Sequence, residues 1–107
     1  MNNLEKKCYL SMHRVIYTPS AQEDMRSIFS YISSDNPHYA EEVISRIERS
    51  VLFLESFPLI GTEIGTHIRM IVEPRYRYKI VYTIIGKTVY VTGISKFQDA
   101  WQTRVFE

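Results

Sequence analysis

The residues of this chain best suited to chemistry are five cations of its C-terminal half: Arg69, Arg75, Arg77, Lys79 and Lys96. Residues 1–67 hold six Lys/Arg against nine Asp/Glu, and residues 68–107 hold seven against three. A formal net charge of only +1 therefore hides a basic half. In the run Tyr78-Lys79-Ile80-Val81-Tyr82, strand alternation puts Lys79 on the face opposite Tyr78 and Tyr82. If no helix covers that face, the cations make a concave basic patch. The same pattern also describes a solvated sheet face whose charges guard its edges against aggregation. Spacing alone leaves both readings open.

Other chemistries lack their residues. His13, His38 and His67 lie on three different elements, and no HxxxH, HxxE or CxxC spacing offers a metal site, so neither metal nor cofactor is expected. There is no GxSxG, Walker loop or GxGxxG. Gly61 and Gly65 punctuate a turn, with no strand before them and no helix after them to cradle a phosphate. The adjacent pairs Glu23/Asp24 and Glu41/Glu42 read as solvating helix charges. The lone Cys8 excludes an intrachain disulfide and suits a reducing compartment. No apolar run approaches the ~20 residues of a membrane span, and Met1–Ser11 lacks a signal-peptide core. A cytoplasmic protein with no membrane partner is expected.

The positioning elements are legible in outline. At 107 residues and 45% apolar, the chain suits one domain, residues 12–107, behind a polar arm, residues 1–11. His13–Thr18 reads as a short strand closed by Pro19. Ser20 and Glu23 have the spacing of a capping box. Ala21, Met25, Ile28, Phe29 and Ile32 then form a helical stripe. Asn36-Pro37 opens a second helix, with Ala40, Val43, Ile44, Ile47, Val51 and Leu54 inward and Glu42–Arg46 paired outside. Ile68, Met70 and Val72 alternate with His67, Arg69 and Glu73 as a half-buried strand. Gly86-Lys87 turns one strand into the next, Thr88–Ile94, with a bulge or a close backbone approach expected at Gly93. The fold class is α+β, in the order β-α-α-β-β-β, with a helical hairpin on a small antiparallel-rich sheet. Ile28, Phe29, Ile44, Ile47, Val51, Ile80 and Tyr82 are the expected core.

Ordered short motifs point further. They are Tyr17–Ile32 as Y-T-P-S-A-Q-E-D-M-R-S-I-F-S-Y-I, then Asn36-Pro37-x-x-Ala40 and Leu54-x-x-Phe57-Pro58-x-x-Gly61. Ile68-Arg69 and Tyr78-Lys79-Ile80-Val81-Tyr82 complete the set. From about His13 to Lys96 the chain resembles the RelE/ParE superfamily of type II toxin–antitoxin toxins, and more closely its ParE-type, plasmid-stabilisation branch. The resemblance implies the same β-α-α-β-β-β fold and a toxin that stops bacterial growth until a cognate antitoxin binds it.

The superfamily offers two mechanisms. RelE-type members are ribosome-dependent endoribonucleases acting on mRNA, and need cations around the scissile phosphate. On that reading Arg69, Lys79 and Lys96 would be catalytic. Lys79 stands where that branch has arginine, and loses its bidentate fork. Phe97 stands where a second cation belongs beside Lys96, and Trp101 or Phe106 lies in the region of the branch's C-terminal tyrosine. ParE-type members instead bind DNA gyrase and need a recognition surface. The expectation favours this reading, with Arg69, Arg75, Arg77, Lys79, Lys96 and Trp101 as target-binding residues. A chain that has lost toxicity and only binds antitoxin is the remaining alternative. Tyr31, Leu52, Leu59 and Ile71 fall outside the core stripes and are the expected antitoxin-binding residues.

Overall fold

The computed structural model describes residues 12–96. The proposed arm, residues 1–11, lies outside them, as does Trp101. Strand β1 (Arg14–Tyr17) leads to helices α1 (Pro19–Ser33) and α2 (Pro37–Phe53). A 3₁₀ turn (Pro58–Ile60) then precedes strands β2 (Thr62–Gly65), β3 (Ile68–Val72), β4 (Tyr78–Ile85) and β5 (Thr88–Lys96). The five strands form one sheet in the order β1-β5-β4-β3-β2, with β1 parallel to β5 and the other pairs antiparallel. Both helices pack on one face, giving the expected α+β architecture with one strand more than the periodicity predicts. The extra strand, β2, is missed because its four residues, ending in Gly65, are all exposed at a sheet edge and show no inward stripe.

Local signals set the helix starts. The cap of α1 is Thr18, not Ser20: its Oγ1 accepts from the Ala21 amide at 3.3 Å and donates to the Val91 carbonyl at 3.0 Å. Pro19 occupies the first helical turn, where its missing N–H leaves nothing unpaired. Glu23 consequently pairs with Arg26 at 2.9 Å rather than returning to a cap. Asp24 is not a purely solvating charge either, since its Oδ2 accepts from the Ile94 amide at 2.9 Å and ties α1 to β5. Asn36 caps α2 as expected, accepting from the Tyr39 amide at 3.1 Å.

Ala21, Val43, Ile47, Val51, Leu54, Ile80 and Tyr82 are buried between the layers with Val89, Val91 and Ile94. Ile28 and Ile44 are half-buried, and Phe29 is exposed, because it sits at the outer margin of the α1 stripe. Gly86, at φ 61°, makes the two-residue turn joining Ile85 to Thr88. The bulge falls where expected: pairing steps from Val81–Gly93 to Tyr82–Val91, which leaves Thr92 as the extra residue.

The phase of β3 is opposite to the expected one. Arg69 pairs with Tyr82 and Ile71 with Ile80, so Arg69, Ile71 and Glu73 share the helix-facing side with the core of β4. Met70 and Val72 lie on the other face, and Ile68 is exposed. Both faces of β3 carry apolar residues, so alternation does not fix which one turns inward. The polar residues decide it, because each has partners inside.

Candidate functional site

The cations do not form one cluster. Arg69 donates from Nη1 to two main-chain oxygens, Gly61 at 2.7 Å and Leu59 at 3.1 Å. Lys79 is on the opposite face, beside Val72 and Ser95. Lys96 pairs with Tyr78 on the helix side; its Nζ donates to the Tyr76 carbonyl at 2.6 Å and lies 4.8 Å from the Tyr78 ring centroid. Arg75 and Arg77 lie in the turn between β3 and β4. Arg75 is 5.5 Å from the Tyr76 ring centroid, donates to the Tyr76 hydroxyl at 3.2 Å and stands 3.9 Å from the Glu42 carboxylate. The fold thus gathers Arg75 and Lys96 around Tyr76 and Tyr78, keeps Arg77 in the same turn, and separates Arg69 and Lys79 by the thickness of the sheet.

That turn is built on a residue the pattern placed in solvent. Glu73 is buried, and its Oε1 accepts from the Tyr76 amide at 2.6 Å. Its Oε2 accepts from the Arg75 amide at 3.2 Å and from Arg46 Nε at 3.1 Å. Arg46 therefore spans from α2 to β3 instead of pairing with Glu42 on the helix surface. Burial alone would raise the Glu73 pKa. The two amides and the guanidinium outweigh burial and hold it below the usual carboxylate value. Arg77, at φ 61°, closes the turn by donating its amide to the Glu73 carbonyl at 2.8 Å.

A second polar cluster explains the Phe57-Pro58-x-x-Gly61 motif. The buried Tyr82 hydroxyl donates to the Pro58 carbonyl at 2.6 Å and accepts from the Gly61 amide at 2.9 Å. A Cβ at Gly61 would lie 2.5 Å from that hydroxyl and 2.9 Å from the Met70 carbonyl, so only glycine fits without a shift. With Arg69 on the neighbouring carbonyls, the 3₁₀ turn is fastened from below by polar bonds. Its apolar side chains are left outside: Leu59 is 67% and Ile60 55% exposed.

They belong to a larger apolar ledge. Leu52, Phe53, Phe57 and Ile64 are also exposed, the Phe53 and Phe57 rings stack at 4.7 Å, and Phe53 and Ile60 line one groove, whereas the exposed Ile68 falls on the opposite face of the sheet. Beside the ledge, between α2 and β3, runs a groove of about 470 Å³ lined by Arg46, Arg49, Phe53, Ile60, Ile71 and Val72, among others. Of the expected antitoxin-binding residues, Leu52 and Leu59 are on the ledge and Ile71 lines the groove. Ile71 shares its face with Arg69 and Glu73, as expected, but that face turns toward the helices, so Ile71 packs against the core. Tyr31 is elsewhere, lining a separate cleft with Tyr39, Tyr78 and Lys96. Phe53, Phe57, Ile60 and Ile64 were not anticipated. Their signal is the surplus of large apolar residues from Leu52 to Ile64, more than the α2 stripe can bury. No helix among the described residues is long and apolar enough to cross a membrane.

Comparison with known proteins agrees with this arrangement. No curated protein sequence matches the chain. A toxin from the chromosomal ParDE toxin–antitoxin system of P. aeruginosa superposes with a TM-score of 0.72 at 18% identity, covering 82% of this chain and 99% of its own. E. coli RelE in the intact RelBE toxin–antitoxin complex gives 0.61 at 18% identity, covering 80% and 98%. The isolated E. coli RelE toxin gives 0.62 at 16% identity, covering 88% and 96%. At such identities these likenesses concern the fold. The sequence profile described as "ParE toxin of type II toxin-antitoxin system, parDE" matches residues 15–101, from the first strand past the last. That match spans the helical hairpin, the fastened Pro58–Gly61 turn and the cationic β3–β4 turn together, and the chain belongs to this family of toxins.

Proposed function

We propose that this toxin is neutralised by a cognate antitoxin seated on the ledge and groove, and that, once released, it stops growth by binding DNA gyrase without catalysing a reaction itself. The observation that carries the second half is the dispersal of the cations. A single scissile phosphate spans only a few ångströms, whereas Arg69 is committed to two carbonyls on one face and Lys79 stands on the other. A recognition surface has no such need for convergence. Arg75, Arg77, Lys79 and Lys96 would then contribute as separate contacts, each modest, as charges at an interface rim do. Trp101 remains a proposed contact beyond the described residues.

For the antitoxin, the support is exposed apolar area on a rigid base. Monomeric proteins rarely leave so many large side chains together in water without a partner. Arg46 and Arg49 on the groove wall favour a segment that is apolar on one side and acidic on the other. Expressing the toxin in a susceptible bacterium, and scoring broken DNA against cleaved mRNA, tests the target. Broken DNA with intact message is expected. Cleaved message would favour the ribosome-dependent nuclease, and neither lesion would mean lost toxicity.

A further inference from the structure

Arg69 has the sequence profile of a phosphate ligand and the surroundings of something else. Its guanidinium nitrogen is shared between the carbonyls of Leu59 and Gly61, while the Tyr82 hydroxyl holds the Pro58 carbonyl and the Gly61 amide. All four bonds end on one short turn. The turn satisfies the buried Tyr82 hydroxyl, yet it adds little apolar burial of its own, since Leu59 and Ile60 are more than half exposed. Two polar side chains, one of them fully buried, are thus spent on fixing the backbone beneath exposed apolar groups. Fixing a loop in its bound form removes an ordering cost that a partner would otherwise meet on binding.

We propose that Arg69 and Tyr82 are positioning residues for antitoxin recognition: they hold the Pro58–Ile60 turn as a preformed apolar ledge, and Arg69 is not a phosphate ligand. This rests on the reading above that the antitoxin covers the ledge. Its apolar segment meets Leu59 and Ile60, while Arg69 and Tyr82 act from behind without touching it.

The test uses the full-length toxin and its purified cognate antitoxin, at a temperature where circular dichroism shows every variant folded. Arg69→Met should speed amide exchange across residues 59–64 and raise the antitoxin Kd about tenfold, a factor expected from unfixing a loop that must be re-ordered on binding. Tyr82→Phe should act in the same direction. Arg69→Lys keeps a cation able to reach the same carbonyls and should restore most of the affinity. Ile47→Val, which weakens the core away from the ledge, should leave the Kd unchanged. In Leu59→Ala/Ile60→Ala the Arg69→Met effect should largely vanish, because the lock acts only through those side chains. If the ledge double variant weakens binding but Arg69→Met and Tyr82→Phe leave both exchange and Kd unchanged, the lock is refuted. Additive effects of lock and ledge would also refute it. If truncating the ledge leaves the Kd untouched, the antitoxin sits elsewhere, and it is the underlying reading that falls.

Discussion

Replacing Glu73 by glutamine gives the sharpest test of how the cationic turn is held. The carboxylate takes three donors: the amides of Tyr76 and Arg75, and Arg46 Nε. Glutamine fills the same volume but must turn its NH₂ toward at least one of them. The least damaging orientation gives the remaining oxygen to Arg75 and Arg46 and orphans the Tyr76 amide. A stranded buried donor costs about 1–3 kcal/mol, and the two surviving bonds lose their charge assistance. The Arg46 side chain is 34% exposed, so its ion pair adds only about 0–1 kcal/mol after solvent screening. The total is about 1–4 kcal/mol at neutral pH. The pH dependence has a definite sign. Glu73 has a lowered native pKa, so its stabilisation is present above the unfolded carboxylate value of about 4.3 and is lost as pH falls through the native one. Urea denaturation of both proteins across pH should show a gap that narrows on acidification. A gap below about 0.5 kcal/mol at pH 7, or one unchanged in acid, would refute the role assigned to Glu73.

Ile47→Ala should lower stability by about 2–5 kcal/mol in the same denaturation assay, because Ile47 is fully buried between α2 and the sheet. Gly61→Ala should destabilise by about 1–3 kcal/mol, and pairing it with Tyr82→Phe, which removes the nearest of the three atoms its Cβ meets, should be less than additive. Tyr17, its pKa pushed up to about 12 by burial and secondarily by the Glu48 carboxylate, should ionise late in an ultraviolet titration. Its contribution to stability is present below the unfolded tyrosine value of about 10 and is lost as pH rises toward 12, an alkaline limb that Tyr17→Phe should reduce, with Tyr78 and Tyr82, also raised by burial, supplying the remainder.

Legibility in the sequence followed how local the determining physics is. The Asn36 cap, the α2 stripe, the Gly86 turn and the Gly93 bulge each depend on a few neighbouring residues, and each was readable. The ParE-type family was legible through the order of its short motifs. The phase of β3 was not, because Met70 and Val72 match Ile71 in hydrophobicity, and the choice lies with Glu73 and Arg69. Their partners are Arg46 on α2 and the carbonyls of the 3₁₀ turn, contacts between segments that alternation cannot register. The same long-range bonds remove Arg69 from the cationic patch it was expected to join. The ledge was half legible: Leu52 and Leu59 fall outside the core stripes, but β2 and Ile64 carry no periodic signal at an exposed edge.

Purified components separate a toxin that binds gyrase from one that cleaves message. Antitoxin-free toxin is incubated with DNA gyrase and supercoiled plasmid, and in parallel with ribosomes translating a defined message. Accumulated gyrase–DNA cleavage complexes and an intact message are expected, with Lys79→Ala and Lys96→Ala each weakening the gyrase effect only in part. Message cleaved on the ribosome, with cleavage abolished by Lys79→Ala and gyrase unaffected, would contradict the gyrase reading.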